Sequence, residues 1–453
     1  MWRFALLQLV SAETKSRSPH IVLFIADDLG WNDVSWNNPK MFSPFLESLA
    51  RGGVILDQHY VLPMCTPTRA ALLTGRYPYK LGIQGHGIRH LEPYGLPLGM
   101  TTLAEELKRR NYTTHAFGKW HLGYCNWSLT PTHRGFDTFR GYYLGSQDHF
   151  NHTVTERKNG ALKEKKGMHE KEGGLQANGY DYRNGEKVDL SAKGIYSTTL
   201  ITNHVLETIA QESKNNSPMF LYVAFQAVHA PLQVPSKKRT ICSNHTYNKR
   251  VKICEMLGSM DHAVELIVKK LKDVQMWNNT LLVFMSDNGA QVLFGGNNSP
   301  LRGNKNTLYE GGTRVPAFVA GPAVKRRGYR SSREGHLKFI LRPSKAFGSW
   351  YSESQEEFES VESVGNVSES VLYNITADPN EENDLSWTLK TETERLLSKM
   401  RSLAHLMVPS HSPDDDPRGN PTQGDHTGVF SPGWCKAPVW KQPQTATEAS
   451  TCQ

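Results

Sequence analysis

A chain of 453 residues, 38% hydrophobic and 21% charged, can bury a large core and lies outside the composition of disordered or fibrous proteins. Its length predicts one big domain with a smaller one rather than a string of small modules. The formal charge of +8 favours an anionic partner, which nucleic acid, a membrane surface or an acidic polysaccharide would each satisfy.

In chain order, Met1-Trp2-Arg3, the apolar run Phe4 to Val10 and the small-residue spacing Val10-Ser11-Ala12 predict a signal peptide over residues 1–12. No other stretch is long and apolar enough to cross a bilayer, so no membrane span is expected. His20 to Ala26 reads as a buried strand running into Asp27-Asp28, and Pro44 to Arg51 has helical spacing. At Cys65-Thr66-Pro67-Thr68-Arg69, Thr66 suits an N-cap and Pro67 the first helical position, so a helix should begin there and stop near Gly75. A helix over Thr101 to Arg110 precedes a strand at Thr114 to Phe117, which leads to Lys119-Trp120-His121. Then come a helix at Ser197 to Glu212, a strand at Met219 to Ala227 reaching His229, a helix at Val251 to Val274, and a strand at Thr280 to Met285 ending in Asp287-Asn288-Gly289. This alternation predicts an α/β fold with helices on both faces of the sheet, and ligands at the carboxyl ends of the strands. Each of the four strands delivers a polar cluster to that edge.

The character changes near Ser331. Asp378-Pro379-Asn380 reads as a turn and Thr391 to Leu406 as a helix, whereas the Pro-, Gly- and Asp-rich tail is expected to be loop or disordered. The expected division is a catalytic unit over 18–330, a small C-terminal unit over 331–408 and an irregular tail over 409–453. Asn111, Asn126, Asn151, Asn215, Asn244, Asn278, Asn297, Asn366 and Asn374 each open an Asn-x-Ser/Thr triplet, making them glycosylation candidates and supporting export. Of six cysteines, at 65, 125, 242, 254, 435 and 452, Cys242 and Cys254 are the nearest candidates for a bridge.

The chemistry centres on Cys65, placed at a helix N-terminus where free N–H groups favour an anion, with Arg69 within reach. From the pentapeptide alone, a disulfide cysteine or a low-pKa thiol stays open. Asp27, Asp28 and Asp287, with Asn288, would repel one another unless a cation bridged them, and all-oxygen ligands suit Ca²⁺ or Mg²⁺. No Cys/His pair has zinc spacing. Lys119 and His121, two apart, would face one side of extended backbone. With Arg69, Lys305 and His229 they would make a cationic pocket with a proton carrier.

Cys-x-Pro-x-Arg followed by Leu73-Thr74-Gly75-Arg76 resembles the signature of the formylglycine-dependent sulfatases. The resemblance extends through Ala26-Asp27-Asp28-Leu29-Gly30-Trp31, Gly118-Lys119-Trp120-His121-Leu122-Gly123, Arg134-Gly135-Phe136-Asp137, Gly179-Tyr180-Asp181, Val228-His229-Ala230-Pro231, Ser286-Asp287-Asn288-Gly289 and Tyr309-Glu310-Gly311-Gly312. In feel it is nearest the arylsulfatase B group, the N-acetylgalactosamine 4-sulfatases. The resemblance implies an alkaline-phosphatase-like, mixed and mostly parallel sheet sandwiched by helices, with a smaller C-terminal antiparallel sheet plus helix. It implies one calcium ion held by Asp27, Asp28, Asp287, Asn288 and the residue at 65, with Cys65 converted to formylglycine by a formylglycine-generating enzyme. Arg69 and Lys119 would hold the hydrate and sulfate, His121 would take the proton when sulfate leaves, and His229 and Lys305 would bind sulfate and assist the leaving oxygen.

The implied substrate is an aryl sulfate or a sulfated glycosaminoglycan sugar, met in the lysosome or outside the cell. The implied pattern breaks after Gly321-Pro322, where a longer stretch is expected before Gly335-His336-Leu337-Lys338. A missing segment there would uncover apolar surface, and it raises the alternative of an inactive, secreted binder of sulfated polysaccharide. Nucleic-acid binding is disfavoured, since the basic residues are scattered and the chain carries export signals.

Overall fold

The structure, a computed structural model, describes residues 18–155, 177–235, 242, 245, 247–322, 324, 329–331, 336–344, 348–351, 368–422 and 428–437. The expected signal peptide and the sequons at Asn244 and Asn366 lie outside the described residues.

Alternating large side chains make His20–Ala26 the strand β1: Val22 and Phe24 enter one core, Leu23 and Ile25 the other. The further strands are β2 (Val54–Leu56), β3 (Thr113–Lys119), β4 (Thr138–Tyr142), β5 (Thr153–Thr155), β6 (Asn178–Tyr180), β7 (Arg183–Asn184) and β8 (Lys187–Val188). They continue with β9 (Met219–Ala224), β10 (Thr280–Ser286), β11 (Ala317–Ala320), β12 (Tyr329–Ser331), β13 (Leu337–Leu341) and β14 (Ser370–Asn374). Ten of them form one sheet in the order β12-β2-β11-β10-β1-β9-β3-β4-β7-β8. The central run from β10 to β4 is parallel, and antiparallel pairings flank it. Strands β13 and β14 form the small antiparallel pair near the C-terminus, and β5 and β6 a separate ribbon.

Helices α1 (Pro44–Gly52), α2 (Cys65–Thr74), α3 (Leu103–Arg109), α4 (Ser197–Glu212), α5 (Asn248–Asp273), α6 (Glu310–Thr313) and α7 (Lys390–Leu403) complete the fold. One sheet face packs on α1, α4 and α5 through Leu46, Val205, Leu257 and Val264, and the other on α2 and α3 through Ala70, Leu73 and Ala104. The mixed, mostly parallel sheet between helices is thus present, with its small C-terminal sheet. No helix among the described residues is long and apolar enough to cross a membrane.

Helix α2 differs from expectation at its start. Met64 is the N-cap and Cys65 the first helical residue, because the Thr66 hydroxyl is used elsewhere, donating to the His121 carbonyl at 3.0 Å. It stops where Gly75 adopts φ 63°, a left-handed conformation natural for glycine.

The tail differs more. Phe430 and Trp434 are buried in the α2/α3-side core, and a Cys125–Cys435 disulfide ties it down across 310 residues. The Cys242–Cys254 bridge is also present, and Cys65 is free. Exposed large hydrophobics occur in both parts of the described chain, at Tyr77, Leu190 and Leu308 in the main domain and at Trp387, Met400 and Met407 in the C-terminal unit, and α7 has no buried residue.

Candidate active site

The four central strands end level with one another. Ala26 pairs with Ser286, Ile25 with Ala224, and Ala224 with Gly118, so the residues that follow meet at a single edge. There the structure brings together Asp27, Asp28, Cys65, Arg69, Lys119, His121, His229, Asp287, Asn288 and Lys305.

Cys65, 3% exposed, opens α2 with Sγ 3.2 Å from His121 Nδ1. His121 Nε2 lies 2.9 Å from the Ile88 carbonyl. A carbonyl can only accept, so Nε2 carries the hydrogen and Nδ1 turns a lone pair to residue 65. Burial, reinforced by Lys119, holds this imidazole well below its usual range and hence neutral. Burial likewise pushes the Cys65 thiol up, against the pull of Lys119 and Lys305. His121 reaches this place by a left-handed turn, φ 55°, not by alternation along a strand.

Each carboxylate faces a cation. Lys119 Nζ donates to Asp27 Oδ2 at 2.7 Å, and Lys305 Nζ to both oxygens of Asp28 at 2.7 and 2.9 Å. Arg69, fully buried, directs Nε and Nη2 at Asp287 Oδ2 and Nη1 at the Lys119 carbonyl. Breaking such a buried pair by removing one partner is strongly destabilising. Burial raises the Asp27 carboxyl to about 7, with Lys119 opposing and Asp287 and Asp28 adding to the rise. Burial pushes Asp28 upward too, but Lys305 and His229 outweigh it and hold that carboxyl well below the usual range.

His229 fixes its Nδ1–H on the Ala230 carbonyl at 2.6 Å and presents Nε2 to Asp28 Oδ2 at 3.6 Å. Burial lowers it to about 4, against Asp28. Atoms of Asp27, Asp28 and His229 lie within 4.8 Å of one another, a grouping able to hold a metal ion. Two buried oxygens there, Asp27 Oδ1 and Asn288 Oδ1, have no hydrogen-bond partner. A buried polar atom seldom stays unpaired, and carboxylate and amide oxygens suit a hard divalent cation. The residues therefore fit a hard divalent cation. His229 joins the metal-side cluster, a place the sequence did not suggest for it.

Several supporting groups escaped sequence reasoning. Tyr222 OH lies 3.5 Å from Arg69 Nη1, and Ser286 Oγ accepts from Leu29 N while donating to the Asn288 carbonyl. Gly87 and Gly145 pack against the His121 ring so closely that a Cβ at Gly145 would stand 2.7 Å from it. Thr66 and Ser286, each inside a quoted motif, had a sequence signal but no role read from it.

Among the sequons, Asn111, Asn151, Asn215 and Asn278 are exposed, and Asn126 and Asn374 half-buried. Asn297 is 5% exposed, and its Oδ1 accepts from Asn32 Nδ2 and Ser299 N.

Comparison with known proteins gives a consistent family. A sequence model described as Sulfatase matches residues 19–349. Arylsulfatase J of Mus musculus is 38% identical over 311 residues, 68% of this chain and 49% of that protein. N-acetylgalactosamine-6-sulfatase of Rattus norvegicus is 30% identical over 349 residues, 72% and 61% of the two chains. Arylsulfatase A of Homo sapiens is 31% identical over 330 residues, 71% and 62%. The chain thus spans about half to three-fifths of the length of these relatives. Among solved structures, Ps i-CgsB superposes with a TM-score of 0.71 at 26% identity, covering 87% of this chain and 95% of that one.

Proposed function

Because the chain belongs to the sulfatase family, we propose that it hydrolyses a sulfate ester, R–O–SO₃⁻ with water giving R–OH and hydrogen sulfate, with residue 65 as the nucleophile. The observation that carries this reading is Cys65 Sγ, 3.2 Å from a neutral His121 Nδ1, beside three carboxylates and three fixed cations. In this reading Cys65 is oxidised by a formylglycine-generating enzyme, and the hydrated aldehyde supplies one hydroxyl that attacks sulfur and a second whose loss of a proton expels the sulfate and restores the aldehyde. A calcium ion held by Asp27, Asp28, Asp287 and Asn288 would polarise the sulfate and offset developing negative charge.

The chain's own groups do the rest. His121 Nδ1 accepts a proton from the hydroxyl at residue 65, its tautomer fixed by Ile88. His229, its hydrogen held on Nδ1 by the Ala230 carbonyl, turns the Nε2 lone pair to the metal side beside Asp28, and the leaving alkoxide takes its proton from water. Lys119 and Lys305 keep positive charge beside the sulfate oxygens, while Arg69, locked to Asp287, orients a carboxylate. The net charge of +8 favours a polyanionic substrate, and we assign a glycosaminoglycan sugar resembling N-acetylgalactosamine 4-sulfate. Two disulfides and exposed sequons support a secretory route, ending in the lysosome or outside the cell.

Mass spectrometry of the Cys65 peptide, from cells containing the converting enzyme, paired with sulfate release from an aryl sulfate and from sulfated galactosamine oligosaccharides, tests the proposal. Formylglycine with turnover is expected. An unmodified thiol would overturn it, faster turnover of the matching phosphate ester would reassign it, and retention of sulfated polysaccharide without sulfate release would identify an inactive binder.

A further inference from the structure

Beyond α7 the chain crosses back over the main domain and grips the loop that holds His121. Val408 N donates to the Tyr79 carbonyl at 2.8 Å, His411 N to Gly82 at 3.0 Å and Asp416 N to Leu91 at 2.8 Å. In return Gln84 Nε2 donates to the Val408 carbonyl at 2.8 Å. Between these links Arg89 reaches across, with Nε on Asp415 Oδ1 at 3.1 Å and Nη2 on the Pro413 carbonyl at 2.9 Å. The Asp415 side chain is only 7% exposed and that of Arg89 28%, so the pair is partly shielded from water. Further on, buried Phe430 and Trp434 and the Cys125–Cys435 disulfide anchor the crossing segment.

The gripped loop carries Ile88. Its N–H donates to Thr66 Oγ1 at 3.2 Å, and its carbonyl accepts from His121 Nε2 at 2.9 Å. Gly87 lies against the same imidazole. The place of one backbone carbonyl therefore decides which ring nitrogen carries the proton, and so what His121 presents to residue 65.

We propose that the strap formed by residues 408–422 and 428–437 is a positioning element of the reactive centre, and that the Arg89–Asp415 pair holds the Ile88 carbonyl where it keeps His121 in the Nε2–H tautomer. Its catalytic consequence rests on the sulfate-ester reading above. Arg89 and Asp415 touch none of the groups assigned to the reaction, so they act through Ile88 and are positioning residues. At metal-ligating histidines, removing the outer hydrogen bond that fixes the tautomer costs about tenfold or more, and a loss of that order is expected here.

The test uses the full chain with Asp415→Asn, with Arg89→Lys as a second variant that keeps the charge and loses the two-point grip. Arg418→Ala, which breaks an exposed pair with Asp416 on the same strap, is the control. Two quantities are read: the ring ¹⁵N shifts of His121, which report the tautomer, and kcat and KM on an aryl sulfate. Wild type and Arg418→Ala should show the Nε2–H form. Asp415→Asn and Arg89→Lys should populate the other tautomer, with kcat lower by about tenfold and KM within about twofold. Unchanged shifts in both test variants overturn the proposal, whatever happens to kcat, and so does an equal loss in Arg418→Ala. If Asp415→Asn does not fold, Arg89→Lys decides. If the wild-type chain releases no sulfate, the activity reading fails by itself and the ¹⁵N shifts alone uphold or overturn the strap's role.

Discussion

Replacing Glu381 by glutamine should remove a pH dependence from the joint between the small C-terminal sheet and the main domain. Glu381 is fully buried, and its Oε2 accepts from Glu310 N at 2.6 Å. Lys338 Nζ, on β13, bridges Glu310 Oε1 at 2.7 Å and Glu381 Oε1 at 3.0 Å, while Tyr60 OH donates to Glu310 Oε2 at 2.7 Å and Arg314 stands 3.7 Å away. Two buried carboxyls thus share one lysine. Burial, opposed by Lys338 and reinforced by Glu310, raises Glu381 from 4.5 to about 7. For an acid with its folded pKa raised, the stabilisation is complete below the unfolded value and is lost as pH rises through the folded one. The window is therefore pH 4.5 to 7, and at about 1.4 kcal/mol per pH unit the loss has an upper bound of about 3.5 kcal/mol. Hydrogen exchange of the β13 and β14 amides, corrected for intrinsic rates, reads it as an opening free energy. Wild type should lose about 2–3 kcal/mol between pH 4.5 and 7.5, and Glu381→Gln less than about 1. Parallel profiles in the two proteins would refute the assignment.

Calcium at about 1,000 times its dissociation constant should stabilise the chain by about 4 kcal/mol, seen as a higher melting temperature that a chelator reverses; Asp27→Asn should shrink that shift, and an equal shift in both proteins counts against the site. Arg69→Met should cost about 3–5 kcal/mol in denaturant unfolding because Asp287 is left buried and uncompensated, whereas a cost below about 1 would mean that water reaches the pair. Glycopeptide mapping of protein from mammalian cells should find Asn297 unmodified and Asn215 or Asn278 occupied. A glycan on Asn297 would show that its loop opens before folding is complete.

What the sequence made legible has a simple physical boundary. Apolar runs that cross the sheet's centre, such as Phe220 to Val223, must be hydrophobic on both faces, so β1, β9 and β10 stood out, and α4 emerged at Ser197–Glu212 from its spacing alone. Strands of two or three residues, β2, β7 and β8, carry no period to detect. Motif residues were readable as charges but not as pairs. Nothing local says that Arg69 will spend its fork on Asp287, 218 positions away, or that Ile88 will supply only a backbone carbonyl to His121. The burial of Phe430 and Trp434 depends on contacts across some 300 residues, which is why a tail rich in Pro, Gly and Asp reads as loop.

The convergence of the site follows from register more than from any motif. Parallel strands joined by helical crossovers all point the same way, so equal register brings their carboxyl ends level. With Ala26 beside Ser286, the next residues, Asp27 and Asp287, become neighbours without further instruction. Lys119 needs only to end β3 one residue beyond Gly118, which faces Ala224. Cys65 and Arg69 are exceptions, since they come from a helix and not from the sheet, as is Lys305, which comes from a loop. The place of Cys65 depends on Thr66 and Thr68, whose hydroxyls tie the start of α2 to the His121 carbonyl and to Leu62. Those two threonines turn a helix N-terminus near the sheet into one aimed at its edge, which makes them the residues whose loss should scatter the site while leaving the sheet intact.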